Sequence, residues 1–479
     1  MNRSRSFRMA TAGFALALLC ACNSAPVKTV ASLPFEVPAA WSYNTGTPDA
    51  AALTLWWSRF NDPLLNSLVN QALLANTSIG SAQAALRQAR ALRDVTATGL
   101  RPLVSSSASA QRARSGNTGT GNSFNVGLDA SWELDVFGAN RSALDNSDAT
   151  LAASAATLGN TQVSIAAEVA LAYISLRNAQ TRLQIAADNL ASQRETQQLT
   201  YWRLQAGLVT SIEAEQARAS VEQTRAQLPL LRTAIEQNRH ALAMLTGQPP
   251  AAMNVLLAAS GPVPKAGATL ALGFPADTLR QRPDIRAAEF QVLSAVALVA
   301  QAEAARAPDF KLSGSLGLNA LSLGGLSSGS AVFASLLGGV SWPIFDGGAA
   351  RARVRSQQAA LDQAQAGYQS AVLTALKDVE DALIALRSDR ERSTSLQQAA
   401  NAAVNAALLA RQRYDSGLVD FQTVLETQRT RLATQDSLAS ASADVSADHV
   451  RLYKALGGGW VPDFTATALP LNNTTRTLP

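Results

Sequence analysis

GANRSALDNSDATLAASAATLGNTQVSIAAEVALAYISLRNAQTRLQIAADNLASQRETQQLTYWRLQA, residues 138–206, contains no proline, and its one internal glycine is Gly159. The run predicts a single helix roughly 100 Å long at about 1.5 Å per residue, several times the length of a helix inside a compact domain. Apolar residues recur every seventh position, with Leu144, Leu151, Leu158 and Ile165 on one line and Val169, Leu176, Leu183, Leu190 and Leu204 on another. Such a seam packs against other long helices, as in a coiled coil, a strut or a tunnel wall.

A second run, Gly348 to Ser416, is also free of proline. It sets Val354, Leu361, Tyr368, Ala375 and Ala382 on one line, with Val372, Val379 and Leu386 beside it. A constant shift of 210 brings Trp132 onto Trp342, Gly138 onto Gly348, Arg141 onto Arg351, and Gly207, Leu208 and Val209 onto Gly417, Leu418 and Val419. The chain is an internal duplication, one structure built twice.

The 479 residues are 5% aromatic and carry a formal charge of +5. Few aromatics and much Ala, Gln, Ser and Leu suit close-packed long helices better than a globular core. Arg3, Arg5 and Arg8 lie in the N-terminal segment, and the remaining arginines are scattered. They read as solvated helix faces, so nucleic acid is not an expected partner.

Residues 1–21 read as an export signal, with a basic start and an apolar run, Ala10 to Leu19, too short to span a membrane. The segment ends in Leu19-Cys20-Ala21-Cys22, which resembles the lipobox of bacterial lipoproteins, cleaved before Cys22 and acylated on its thiol. Cys20 is the poorer candidate because bulky Leu19 precedes it, and its removal leaves Cys22 no disulfide partner. Acyl chains on Cys22 anchor a chain stably, and Asn23 in place of an inner-membrane retention aspartate favours outer-membrane lipid.

Residues 22–61 form a tether and an equatorial segment, in which Trp56, Trp57 and Phe60 are read as packing against the helical body. The first repeat, 62–247, predicts helices over 62–98, 138–206 and 211–245, the last with a kink at Pro229, and strands over 103–112 and 123–134. A connector, 248–282, leads to the second repeat, 283–459, with helices over 283–306, 348–416 and 420–456 and strands over 309–319 and 332–345. Residues 460–479 are a tail.

The strands alternate. Phe124, Val126, Leu128, Ala130, Trp132 and Leu134 face one way, while Asn125, Gly127, Asp129, Ser131 and Glu133 face the other. Phe310, Leu312, Leu316 and Leu318 alternate likewise with Asp309, Lys311, Ser313, Ser315 and Asn319. About ten residues is the length of a tilted strand crossing an outer membrane, but four strands cannot close a barrel and lipid does not tolerate an open edge. The barrel is therefore shared between chains. Two copies just close one, and three enclose a pore of twelve strands.

Each long helix ends at a glycine, Gly207 or Gly417, followed by Leu208-Val209 or Leu418-Val419, and a new helix begins at once. These are the tips of two helical hairpins, and exposed Leu-Val pairs invite a partner. Acids follow: Glu213 and Glu215 after the first tip, Asp420 and Glu426 after the second. In a symmetric oligomer each becomes a ring that selects cations and holds a gate, although a single acid near a helix start also serves as a cap.

The motifs WWSRFNDPLLNSLV (56–69), WELDVFGANR (132–141), LRQRPDIRAAE (279–289), SWPIFDGGAARA (341–352) and RYDSGLVDFQTVLETQR (413–429) spread over almost the whole mature chain. They resemble the TolC/OprM family of outer-membrane efflux channels, in its NodT-like lipoprotein branch. The resemblance implies a mainly α fold with a small β part: a homotrimer with a shared twelve-stranded barrel and a long α-helical tunnel through the periplasm. It further implies a periplasmic adaptor at the tips Gly207 to Val209 and Gly417 to Val419, and an inner-membrane pump of the RND type. The family often places two acids three residues apart beyond the second tip. Here the second position is Glu426 and the first is Thr423, with Asp420 as the nearest substitute.

Catalysis is not expected, nor a cofactor. His240 and His449 read as helix-face residues, no phosphate-binding glycine loop is present, and Asp378, Glu380 and Asp381 spread over different helix faces. Two alternatives stand beside a drug-efflux conduit: the same channel serving type I protein secretion, and a lipid-anchored periplasmic scaffold, which has no use for alternating strands.

Overall fold

The computed structural model describes residues 35–42, 53–114, 120–267 and 279–460. The signal segment, Cys22, most of the tether, part of the connector and the tail after Trp460 lie outside the described residues.

The duplication is visible in the element lengths. The helices α1 (Pro63–Ala75) and α2 (Thr77–Thr98) precede strands β1 (Leu103–Arg114) and β2 (Thr120–Leu134), and the long helix α3 (Ala139–Gln205) and its return α4 (Ser211–Leu245) follow. The second copy runs α5 (Pro283–Ala304), β3 (Asp309–Ala320), β4 (Val332–Ser341), α6 (Ala349–Asp415) and α7 (Phe421–Ala455). The long helices α3 and α6 have 67 residues each, the returning helices α4 and α7 35 each, and α2 and α5 22 each.

Where the sequence predicts one helix over 62–98, there are two. Asn76 breaks them with an extended backbone (ψ 132°): its amide closes α1 on Ala72 O, and its side-chain oxygen accepts from Ser78 N at 2.8 Å to open α2. One asparagine thus caps both helices, which no periodicity reveals. Helix α4 continues through Pro229 without a break. Strand β4 stops at Ser341 instead of reaching 345, because Pro343 has no N–H to give the ladder.

The chain divides into two units. One, built on residues 98–146 and 292–365, holds a four-stranded antiparallel sheet in the order β1-β2-β3-β4, so β2 and β3 join the two copies and β1 and β4 are open edges. The register pairs Val126 with Leu318, Leu128 with Leu316, Trp132 with Leu312 and Leu134 with Phe310 on one face. Asn125 with Asn319, Asp129 with Ser315, and Glu133 with Lys311 pair on the other. Gly127 faces Gly317, and a Cβ on Gly317 would come within 2.5 Å of Val126 O and 2.9 Å of the Phe333 ring. The bare Cα of Gly317 lets the Phe333 ring lie on the sheet.

In the other unit, residues 35–97, 147–291 and 366–460, the core is built on α1, α3 and α7. Trp56 is fully buried, stacked on Tyr453 with centroids 5.5 Å apart and edge-on to Trp57 at 5.6 Å. Leu65, Leu68, Val69 and Ala72 bury one face of α1, and Val169, Leu176 and Leu190 lie on the buried seam of α3. Trp56, Trp57 and Phe60 are therefore packing residues, as their sequence context predicts.

Candidate functional site

The two hairpin tips have the same backbone. At the first, Gly207 takes φ 71°, its N–H donates to Leu204 O at 2.9 Å, and Leu208 N donates to Arg203 O at 2.8 Å. At the second, Gly417 takes φ 72°, with Gly417 N on Tyr414 O at 3.0 Å and Leu418 N on Arg413 O at 2.8 Å. This paired closure of the last carbonyls needs a left-handed residue, hence glycine. It leaves Leu208 and Leu418 74% and 73% exposed, while Val209 and Val419 are half-buried. Val419 packs on a small core of Ala217, Tyr414, Phe421, Val424 and Leu425, drawn from both hairpins.

The acids beside the tips differ from one another. Asp420 is the N-cap of α7: one carboxylate oxygen accepts from Thr423 N at 2.8 Å and from the Thr423 hydroxyl at 2.6 Å. These bonds, the hydroxyl's first, hold its pKa below the ordinary carboxylate value. Thr423 and Asp420 are thus one capping unit. Glu426, one turn further, is exposed and makes no hydrogen bond or ion pair among the described residues. On the first hairpin, the N-cap Thr210 makes no side-chain bond, Glu215 lies 3.7 Å from Arg218, and one Glu213 carboxylate oxygen is enclosed without a donor. Of the five constriction candidates, Glu426 is the one that is both exposed and uncommitted.

Sequence reasoning missed how the two hairpins are tied. A line of polar residues runs down α3 at seven-residue spacing: Arg182, Asn189, Thr196 and Arg203. Arg182 grips Asp436 with two bonds of 2.6 and 3.0 Å, Asn189 donates to Gln435 Oε1 at 2.9 Å, and Thr196 Oγ1 accepts from Gln428 Nε2 at 2.9 Å. Arg203 covers the Tyr414 ring at 4.4 Å and lies 3.7 Å from Asp415. This ladder sits beside the apolar seam and sets the register of α3 against α7 and the end of α6. A heptad count that included polar residues would have found it.

Two acids outside the tips were also missed. Asp135 accepts from Asn140 N at 3.0 Å and Arg141 N at 2.9 Å, and Asp346 accepts from Gly348 N at 2.8 Å and Ala350 N at 2.7 Å. They cap the starts of α3 and α6 in the two copies, where the helix dipole favours an anion. His449, expected on a helix face, is instead 3% exposed in the core.

A profile of the outer membrane efflux protein family matches residues 68–248 and 274–458, one match per repeat. Nodulation protein T of Rhizobium leguminosarum bv. viciae is 32% identical over 95% of this chain and 94% of its own. Toluene efflux pump outer membrane protein TtgF of Pseudomonas putida is 31% identical over 85% of each chain. Among solved structures, the outer-membrane channel OprN superposes with a TM-score of 0.85 at 37% identity, covering 90% of this chain and 98% of that one.

Proposed function

This chain belongs to the outer membrane efflux protein family and is an outer-membrane efflux channel; we propose that three copies close its sheet into a twelve-stranded barrel and form one tripartite pump outlet. The observation that carries the trimer is the four-stranded sheet with β1 and β4 unpaired. An open edge leaves its N–H and C=O groups without partners in lipid, and pairing β4 of one copy with β1 of the next removes every edge.

In this reading the channel is passive. A periplasmic adaptor engages the tips through Leu208, Val209, Leu418 and Val419, and an inner-membrane pump of the RND type supplies the energy. Glu426 forms the cation-selective ring at the constriction, with Asp420 and Thr423 as the cap that starts its helix and Glu213 and Glu215 on the neighbouring hairpin. Acylation of Cys22 anchors the mature chain in outer-membrane lipid. The relatives' names support small organic cargo: TtgF is named for toluene efflux.

The test is the mass of the detergent-extracted mature protein, corrected for bound detergent, followed by single-channel conductance. A trimer with a cation-preferring conductance supports the reading. A stable monomer overturns the shared barrel.

A further inference from the structure

Asp448 and His449 are consecutive on α7, and only 1% and 3% of their surface is exposed. Facing them are Asp389 and Arg390, consecutive on α6. Arg390 Nη2 lies 2.9 Å from His449 Nε2, and His449 Nδ1 lies 2.8 Å from Val445 O. A guanidinium only donates and a carbonyl only accepts, so the ring is neutral with its proton on Nδ1.

Asp448 meets a different arrangement. Its Oδ1 accepts from Arg451, but its buried Oδ2 has no donor, and the Asp389 carboxylate on α6 is a nearby like charge. With both acids ionised, a buried oxygen lacks a hydrogen and a like charge lies alongside. One proton on Oδ2 neutralises the carboxyl, which lowers the cost of the bare buried oxygen and removes the repulsion from Asp389.

We propose that Asp448 carries a proton on its buried carboxyl in mildly acidic surroundings and releases it to solvent in neutral ones, making the contact between α6 and α7 a pH-sensitive joint. Burial, with the facing Asp389 carboxyl, raises the Asp448 pKa to about 6 against the pull of Arg451. Arg392 lies 3.4 Å from Asp389 and 3.3 Å from Asp444, and Arg59 reaches toward His449 and Tyr453. A cavity of about 600 Å³ beside Asp448 is also lined by Arg451, Lys454, Arg282, Asp284, Asp378 and Asp381. Arg282 lies 2.6 Å from Asp284 and 3.5 Å from Asp378, and Lys377 pairs with Asp381 at 2.7 Å. The arginines keep their charge throughout, and Asp448 is poised to change its charge near pH 6. The joint couples the two helices whose hairpin ends at Gly417, and it does not depend on what the channel carries.

Infrared spectra of the purified full-length mature protein, recorded from about pH 4 to about pH 8, test it. The C=O band of a protonated buried carboxyl should vanish with a midpoint near pH 6. The band should be missing in Asp448→Asn, which keeps the side-chain shape but has no carboxyl to protonate. In Asp389→Asn its midpoint should fall, because the like charge is gone. A wild-type midpoint in the ordinary carboxylate range near 4 overturns the proposal whether or not the variants fold, and so does a band that survives Asp448→Asn.

Discussion

The Trp460 ring lies against the bare Cα of Gly159, so close that a Cβ at residue 159 would stand 2.6 Å from indole Cε3. Trp460 Nε1 also donates to Gln281 O at 3.0 Å, and the Arg286 guanidinium lies 5.9 Å from the ring centroid. The one glycine within α3 is a socket for the indole.

Gly159→Ala should therefore act with opposite sign in two backgrounds. In the wild type it overpacks the socket and costs about 1–3 kcal/mol. With Trp460→Ala the clash is gone, and alanine's helix propensity makes the same change stabilising by about 1 kcal/mol. A double-mutant cycle by denaturant unfolding measures it, and equal destabilisation in both backgrounds would remove the socket.

Leu418→Asp should abolish efflux while the protein still reaches the membrane at normal levels. The side chain is 73% exposed, so folding loses little. Val419→Asp should also destabilise the tip, because Val419 packs on the Tyr414 and Phe421 core. Drug susceptibility and membrane abundance, read together, separate the two; unimpaired efflux in Leu418→Asp would dismiss the tip contact.

Glu426→Ala should raise leak conductance and lower cation preference in planar bilayers, since its carboxylate is uncommitted. Asp420→Asn, which can still accept from Thr423, should change conductance much less. If only Asp420→Asn alters selectivity, the ring belongs to the capping residue.

The cap should have its own pH signature. The folded-state pKa of Asp420 is depressed, so its stabilisation is complete above the ordinary value of 3.8 and is lost as pH falls through the lower folded value. Amide exchange at Thr423, corrected for intrinsic rates, should stay protected in mild acid and open only in strong acid. Protection lost already near neutrality would contradict the cap.

Asp448 and His449 should give stability slopes of opposite sign. The raised Asp448 pKa favours the fold fully below the ordinary 3.8, and this contribution is lost as pH rises through about 6. His449, lowered chiefly by burial, contributes stability above its ordinary 6.5 that is lost as pH falls toward its folded value. Thermal unfolding of Asp448→Asn should retain only the His449 slope, with stability falling below about pH 6.5. A profile identical to the wild type would mean that Asp448 does not titrate in this range.

Much of this was legible because its signals are local. The absence of proline between Gly138 and Ala206, the seven-residue seam and the tip glycines each act within a few turns. The unread parts depend on partners far away in sequence. Asn76 caps two helices while its side-chain N–H reaches Leu245 O at 2.8 Å, and the polar ladder joins residues more than 200 positions apart. His449 and Asp448 look like ordinary helix-surface residues until α6 is laid against them.

The sequence by itself determined that this is a duplicated chain of very long helices with two alternating hairpins, since periodicity and helix-breaking residues are properties of the chain alone. Only the tertiary structure decided that the two hairpins share one sheet through β2 and β3, that Asp420 is a cap and Glu426 is not, and that the Asp448 carboxyl is shut in beside His449. Those outcomes depend on which groups become neighbours, and burial and pairing, not residue type, set what a carboxylate does.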